Sequence, residues 1–263
     1  MTTKEQVHSD YLAFLNQIHG NKRSLPFNRK AIVIGSDRKE NIGATIVLAL
    51  KAVGQPFLCI IEPTIDELDV RSPEQVQDYM FRHSDFDTLI LSHGVTELDW
   101  YEDVKFSTMQ NIFNINLLGT AWAIKCFVNF TLARPYRKKI VVIGSMAYKN
   151  VLNASAVYCA SKAGVSHLVR CLGWELTPKA FDIFCVHPSN VEGTPMTDHT
   201  IEEIMKYRNL TSIEEAEDYW GSINLMPRWL NADDIADVVR WLVTDHAASY
   251  LSGQQIDLAG GQR

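Results

Sequence analysis

The chain has 263 residues, 46% of them hydrophobic, enough to bury the core of one α/β domain, and its net charge of -6 argues against a surface for nucleic acid or an anionic membrane. The five cysteines (Cys59, Cys126, Cys159, Cys171, Cys185) stand singly, with no C-x-x-C pair and no histidines at metal spacing, which argues against disulfide and zinc frameworks and for a reducing, cytoplasmic setting without a metal site. No secretory signal opens the chain and no apolar run approaches the roughly 18 residues of a spanning helix, so a soluble protein is expected.

In chain order, residues 1–28 carry an apolar stripe (Tyr11, Leu12, Phe14, Leu15, Ile18) that reads as a short helical extension ended by Gly20. Ala31 to Ile34 is a first buried strand, and the loop GSDRKENIG leads to an apolar helix from Ala44 to Leu50. Strand, glycine loop and helix N-terminus together can hold a pyrophosphate on backbone N–H groups, with Gly35, Asn41, Ile42 and Gly43 as the candidate contacts. The second strand, Phe57 to Ile61, ends at Glu62. Its carboxylate can accept from both ribose hydroxyls of NAD and would repel the 2′-phosphate of NADP, whereas Arg38 and Lys39 could pair with that phosphate. NAD is therefore favoured and NADP stays open. Only six residues separate Glu62 from Asp69-Val70, too few for a crossover helix.

Thr88 to Leu91 is the next strand and ends in Ser92-His93-Gly94, where His93 reads as a packed or hydrogen-bonded residue rather than an acid or base. Ser107 to Leu132 reads as one helix containing FNINLLGTAW. The densest chemistry lies between Lys138 and Leu176. Ile140 to Ile143 has the unbroken apolar character of a strand covered on both faces, Gly144 and Ser145 end it, and a helix runs from about Ser155 to Thr177-Pro178. Tyr158 and Lys162, four residues apart, share one face of that helix, where an ammonium can lower the cost of ionising a phenol that otherwise titrates near 10. Ser145, at the strand end, can hold a substrate oxygen while the tyrosine gives or takes its proton. Tyr101 and Lys105 repeat the spacing without a helical period or a strand-end serine, so that pair reads as accidental. Ile183 to Val186 forms another strand before HPSNVEGTPM. Residues 197–229, with Tyr207, Tyr219, Trp220 and Trp229, make an acidic, aromatic insertion in the position of a substrate lid. A helix from Asn231 to Val243 and a strand in GQQIDLAGG complete the chain.

From about residue 30 to 263 these features resemble the classical short-chain dehydrogenase/reductase family. The resemblance implies an α/β fold, a single-domain Rossmann-like doubly wound parallel sheet over residues 29–263, and NAD(P)-dependent hydride transfer between an alcohol and a carbonyl of a small molecule. It makes Tyr158 the general acid/base. Lys162 lowers the tyrosine's pKa and holds the nicotinamide ribose, Ser145 orients the substrate oxygen, and Asn116 (Asn114 as second choice) holds a water that links Lys162 to solvent. For the cofactor it places Asp69-Val70 at the end of a third strand beside the adenine, Gly94 against a ribose, the Val191 backbone at the carboxamide and Thr194 at the diphosphate. Three features depart from the family pattern. The glycine loop is about two residues longer than T-G-x-x-x-G-x-G, with Asn41, which tolerates a left-handed backbone, for the middle glycine. The helix before the third strand is missing. Ser189 and Gly193 disturb the Pro-Gly segment. The family commonly pairs the helices carrying Asn116 and Tyr158 across a two-fold axis, and Trp122, Phe127, Phe130 and Trp174 make them apolar on more than one face, so a homodimer or homotetramer is expected. The atypical loop also suits an alternative, a non-catalytic dinucleotide sensor or scaffold of the same fold.

Overall fold

A computed structural model describes residues 29–261 except 38–39, 53–56, 222–224 and 227. The apolar stripe before residue 29, Arg38 and Lys39, and the side chains of Tyr207, Tyr219 and Trp220 lie outside the described residues.

Six strands form one sheet: β1 (Arg29–Ile34), β2 (Phe57–Ile61), β3 (Thr88–Leu91), β4 (Lys138–Ile143), β5 (Phe181–Pro188) and β6 (Gln255–Leu258), in the order β2-β1-β3-β4-β5-β6. Every neighbouring pair is parallel. Parallel strands need crossovers that cover both faces, which is why the strand runs are apolar at every position instead of alternating. Alternate residues still divide between two cores. Ile32, Leu89, Ile140 and Ile183 pack with α2 (Pro73–Arg82) and the helices that follow β3 and β4. Val33, Ile90, Val141 and Phe184 pack on the other side with α1 (Ile42–Ala52) and a helix near the C-terminus.

The stretch read as one helix from Ser107 to Leu132 is broken into α3 (Phe106–Phe113), a π-helical turn (Asn114–Gly119) and α4 (Thr120–Thr131). Such turns are rare and are found mostly at functional sites. The remaining helices are α5 (Ala156–Leu176), α6 (Pro195–Arg208), α7 (Ile213–Gly221) and α8 (Ala232–Thr244). No helix among the described residues is long and apolar enough to cross a membrane.

One expectation fails at the sheet edge. Asp69-Val70 does not end a third strand: residues 62–72 are turns and irregular backbone, and β2 is the outermost strand on that side. Six residues are too few to cross over and add a parallel strand, so the segment folds across the end of the sheet instead. Successive connections leave β1 in opposite directions, toward β2 and then back to β3, and a crevice opens above the carboxyl ends where they diverge.

Candidate active site

At the β1 end of the crevice Gly35 has φ +88°, and a Cβ on it would lie 2.6 Å from the His93 nitrogen. A Cβ on Gly43 would lie 2.3 Å from the Gly35 carbonyl oxygen, so this loop closes backbone on backbone. Asn41 fits for a different reason than expected. Its backbone is not left-handed; its side-chain Oδ1 accepts from the Ala44 N–H at 2.8 Å and so satisfies one of the free donors at the start of α1.

At the other end, β4 delivers Ser145 with extended backbone (φ -170°), and its Oγ accepts from the Ala147 N–H at 3.2 Å. The first two turns of α5 bring up Tyr158 and Lys162. Burial pushes the Tyr158 hydroxyl up to about 12, while its hydrogen bond with Ser145 acts in the opposite direction. Lys162 is 5% exposed, its Nζ donates to the Ile143 carbonyl at 3.3 Å, and it has no ion pair among the described residues; burial lowers its pKa to about 8. Its ammonium is aimed at a carbonyl and lies 5.8 Å from the Tyr158 ring centre, and burial is the largest influence on the phenol.

Asn116 sits in the π-helical turn, 2% exposed. Its Oδ1 accepts from the Val95 N–H (2.9 Å), and its Nδ2 donates to the Val95 carbonyl (2.9 Å) and to Ser161 Oγ (3.0 Å). The carboxamide is thus committed to protein partners, which leaves the backbone carbonyl as the group with which Asn116 could hold a water. Asn114 is exposed and does not border the crevice. Gly94 has a reason beyond a cofactor: a Cβ there would come within 3.3 Å of Lys162 Nζ and 3.4 Å of Asn116 Oδ1.

Most of these residues border one cavity of about 730 Å³. Gly35, Asn41 and Ile42 line one end, Asp69, Val70 and Gly94 the middle, and Ser145, Tyr158, Lys162, Val191 and Thr194 the other. Thr194 also caps α6, accepting from the Thr197 N–H, and α6 forms one wall of the cavity. Gly43, Asn116 and Glu62 do not border it. Glu62 Oε1 takes the Lys51 ammonium at 2.7 Å, outside the cavity wall, while Asp37 borders the cavity and has no ion pair among the described residues. His93 is packed, as expected: its Nε2 lies 3.2 Å from Thr120 Oγ1, and burial drives it down to about 4. Tyr101 is 67% exposed in a turn, away from the cavity. Sequence reasoning missed Ala154, which holds φ +53° on the cavity wall while its carbonyl accepts from the Asp99 N–H at 2.9 Å. It also missed His187, whose ring meets the Ser145 backbone; no local pattern marks either.

A long cavity, glycines that let the backbone close tightly at one end, a helix N-terminus there and a buried proton donor at the other end fit a dinucleotide. Residues 58–263 match the family model described as enoyl-(acyl carrier protein) reductase. The (S)-acetoin-forming diacetyl reductase of Staphylococcus epidermidis is 25% identical over 188 residues, 72% of each chain. Among solved structures, carveol dehydrogenase from Mycobacterium avium in complex with NAD superposes with a TM-score of 0.75 at 19% identity, covering 89% of this chain and 96% of that one. A variant of actinorhodin polyketide ketoreductase with NADPH superposes with 0.78 at 22% identity, covering 89% and 97%. With a family match over most of its length and the same sheet, the chain belongs to the short-chain dehydrogenase/reductase family, as an NAD(P)-dependent oxidoreductase that moves a hydride between an alcohol and a carbonyl.

Proposed function

We propose that Tyr158 is the general acid/base of this reaction, that Ser145 holds the substrate oxygen, and that Lys162 and Asn116 supply the proton path behind the tyrosine. The observation that carries the reading is that Ser145, Tyr158 and Lys162 together line one end of the 730 Å³ cavity, with a buried Lys162 ammonium that has no ion pair among the described residues. The bound nicotinamide supplies or accepts the hydride. In reduction, Tyr158 gives its proton to the carbonyl oxygen that Ser145 orients, and oxidation runs the same transfer backwards. Lys162 borders the cavity within reach of a ribose. A water on the Asn116 backbone carbonyl would return a proton from solvent.

For the cofactor, the backbone of Gly35, Asn41, Ile42 and Gly43 would hold the diphosphate together with Thr194, Asp69 and Val70 would border the adenine, Gly94 would meet a ribose, and Val191 would face the carboxamide. NAD remains the favoured form, but the acidic residue that supports it is Asp37 on the cavity wall and not Glu62, which Lys51 neutralises. The protein works in the cytoplasm as a homo-oligomer. Five singly placed cysteines support the compartment, and Trp174 (87% exposed) on α5 with Leu118 (57%) on the π-helical turn supports the assembly.

Titration of NAD and NADP by fluorescence followed by a screen of carbonyls and alcohols tests the reading. Tyr158→Phe should lose about 10² to 10⁴-fold in turnover with cofactor affinity nearly unchanged. Near-normal turnover in that variant would overturn the assignment.

A further inference from the structure

We propose that His187 is a positioning residue for Ser145. As a neutral imidazole with its proton on Nε2, it accepts the Ser145 backbone N–H and so sets where the serine hydroxyl points. The inference rests on the role given to Ser145 above.

The last ladder bond from β4 to β5 runs from the Gly144 N–H to the Val186 carbonyl, at 2.7 Å. Pro188 then offers no N–H, and regular pairing of the two strands stops. The next donor on β4's side, the Ser145 N–H, goes instead to His187 Nδ1 at 3.1 Å. The ring is completely buried. Tyr148 stacks on it with ring centres 4.0 Å apart, and position 144 must be glycine, because a Cβ there would lie 2.3 Å from His187 Nδ1.

The tautomer follows from the neighbours. Gln255 Nε2 donates to the Gly253 carbonyl at 3.2 Å, and a carbonyl can only accept, so the amide oxygen must face the other way. That oxygen receives the Ser166 hydroxyl at 2.7 Å and lies 2.8 Å from His187 Nε2, which must therefore carry the proton. Nδ1 keeps its lone pair. It lies 3.1 Å from both the Ser145 nitrogen and the Ser145 oxygen, and only the nitrogen brings a proton, so the N–H contact is the bond. Burial also lowers the His187 pKa, in keeping with a neutral ring. Ser145 lines the same end of the cavity as Tyr158 from this anchored backbone, and a shift of about 1 Å in a positioned group can cost about 10²-fold in rate.

Asparagine places an oxygen where histidine has Nδ1, so His187→Asn keeps an acceptor for the Ser145 N–H, whereas His187→Leu keeps bulk and removes it. On a carbonyl substrate found in the screen above, His187→Leu should lower kcat about ten- to a hundredfold, with substrate KM and cofactor Kd within about twofold, and His187→Asn should recover most of that loss. If both variants lose thermal stability alike and neither changes kcat, His187 only packs and the proposal fails. Nitrogen-15 spectra of histidine-labelled wild-type protein give a test that needs no active variant. The ring signal absent from His187→Asn should show a bare Nδ1 and a protonated Nε2 between about pH 6 and 8, and the opposite tautomer or a charged ring would refute the proposal. Ser145→Ala separates the two levels: retained turnover there sinks the role of Ser145 itself, whereas turnover lost there but kept in His187→Leu sinks only this inference.

Discussion

Two of the buried lysines, Lys139 and Lys162, sit at opposite ends of the same sheet. At the amino-terminal edge Lys139, fully enclosed, reaches Asp182 at 2.9 Å; Ser249 donates to the same carboxylate at 2.6 Å and Arg137 also pairs with it. At the carboxyl edge Lys162 is almost as deeply enclosed, donates to the Ile143 carbonyl and has no ion pair among the described residues. Burial lowers both pKa values, and Asp182 offsets the effect at Lys139 alone. A buried charge with its counter-ion in the chain is architecture, and one without is held for something the chain does not contain.

The largest expected effect breaks the comparison at Lys162. Lys162→Met should lose turnover by about 10² to 10⁴-fold, yet gain up to about 3 kcal/mol of stability at pH 7. The sign follows from the folded pKa of about 8 against 10.5 for an ordinary lysine. Folding costs free energy while the lysine is charged, and that cost is relieved as pH rises from about 8 toward 10.5. Urea midpoints of the wild type should therefore rise between about pH 8 and 10 relative to those of the variant. Readings belong below pH 10, because Tyr158, raised to about 12, loses its contribution above its ordinary value. A less stable Lys162→Met would end the comparison.

At the other edge, Asp182→Asn strands the Lys139 and Arg137 charges and should cost about 3 to 5 kcal/mol, read as a lower melting temperature, with kcat unchanged. Smaller effects are expected at the cofactor end. Asp37→Asn should shift the ratio of NADP to NAD dissociation constants about tenfold toward NADP by removing repulsion of a 2′-phosphate. Glu62→Gln should leave that ratio unchanged and cost about 0 to 1 kcal/mol, the worth of its surface pair with Lys51. A larger shift from Glu62 than from Asp37 would restore the strand end as the reader of the ribose. The oligomer is checked by light scattering: a monomer mass at micromolar concentration rejects it.

What the sequence by itself determined is local in origin. Strand runs from Ala31 and Ile140, the spacing of Tyr158 and Lys162 on one helix face and the strand-end place of Ser145 are set within a few residues, because period and spacing decide which side chains share a face. Tertiary structure decided everything that depends on a partner far along the chain. Glu62 reads as a ribose acceptor at the strand end, but the fold places it against Lys51 on another element and outside the cavity wall, and the Asn116 carboxamide goes to Val95 and Ser161, which are far from it in sequence. Lys162 stands on the right face to act on Tyr158, but its long flexible stem carries the ammonium to the Ile143 carbonyl. His187 meets Ser145 only because β5 lies beside β4, 42 positions apart in sequence. Side-chain chemistry was legible from the residues; which group satisfies it depends on packing, since a buried donor or acceptor takes whatever partner the fold brings within about 3 Å.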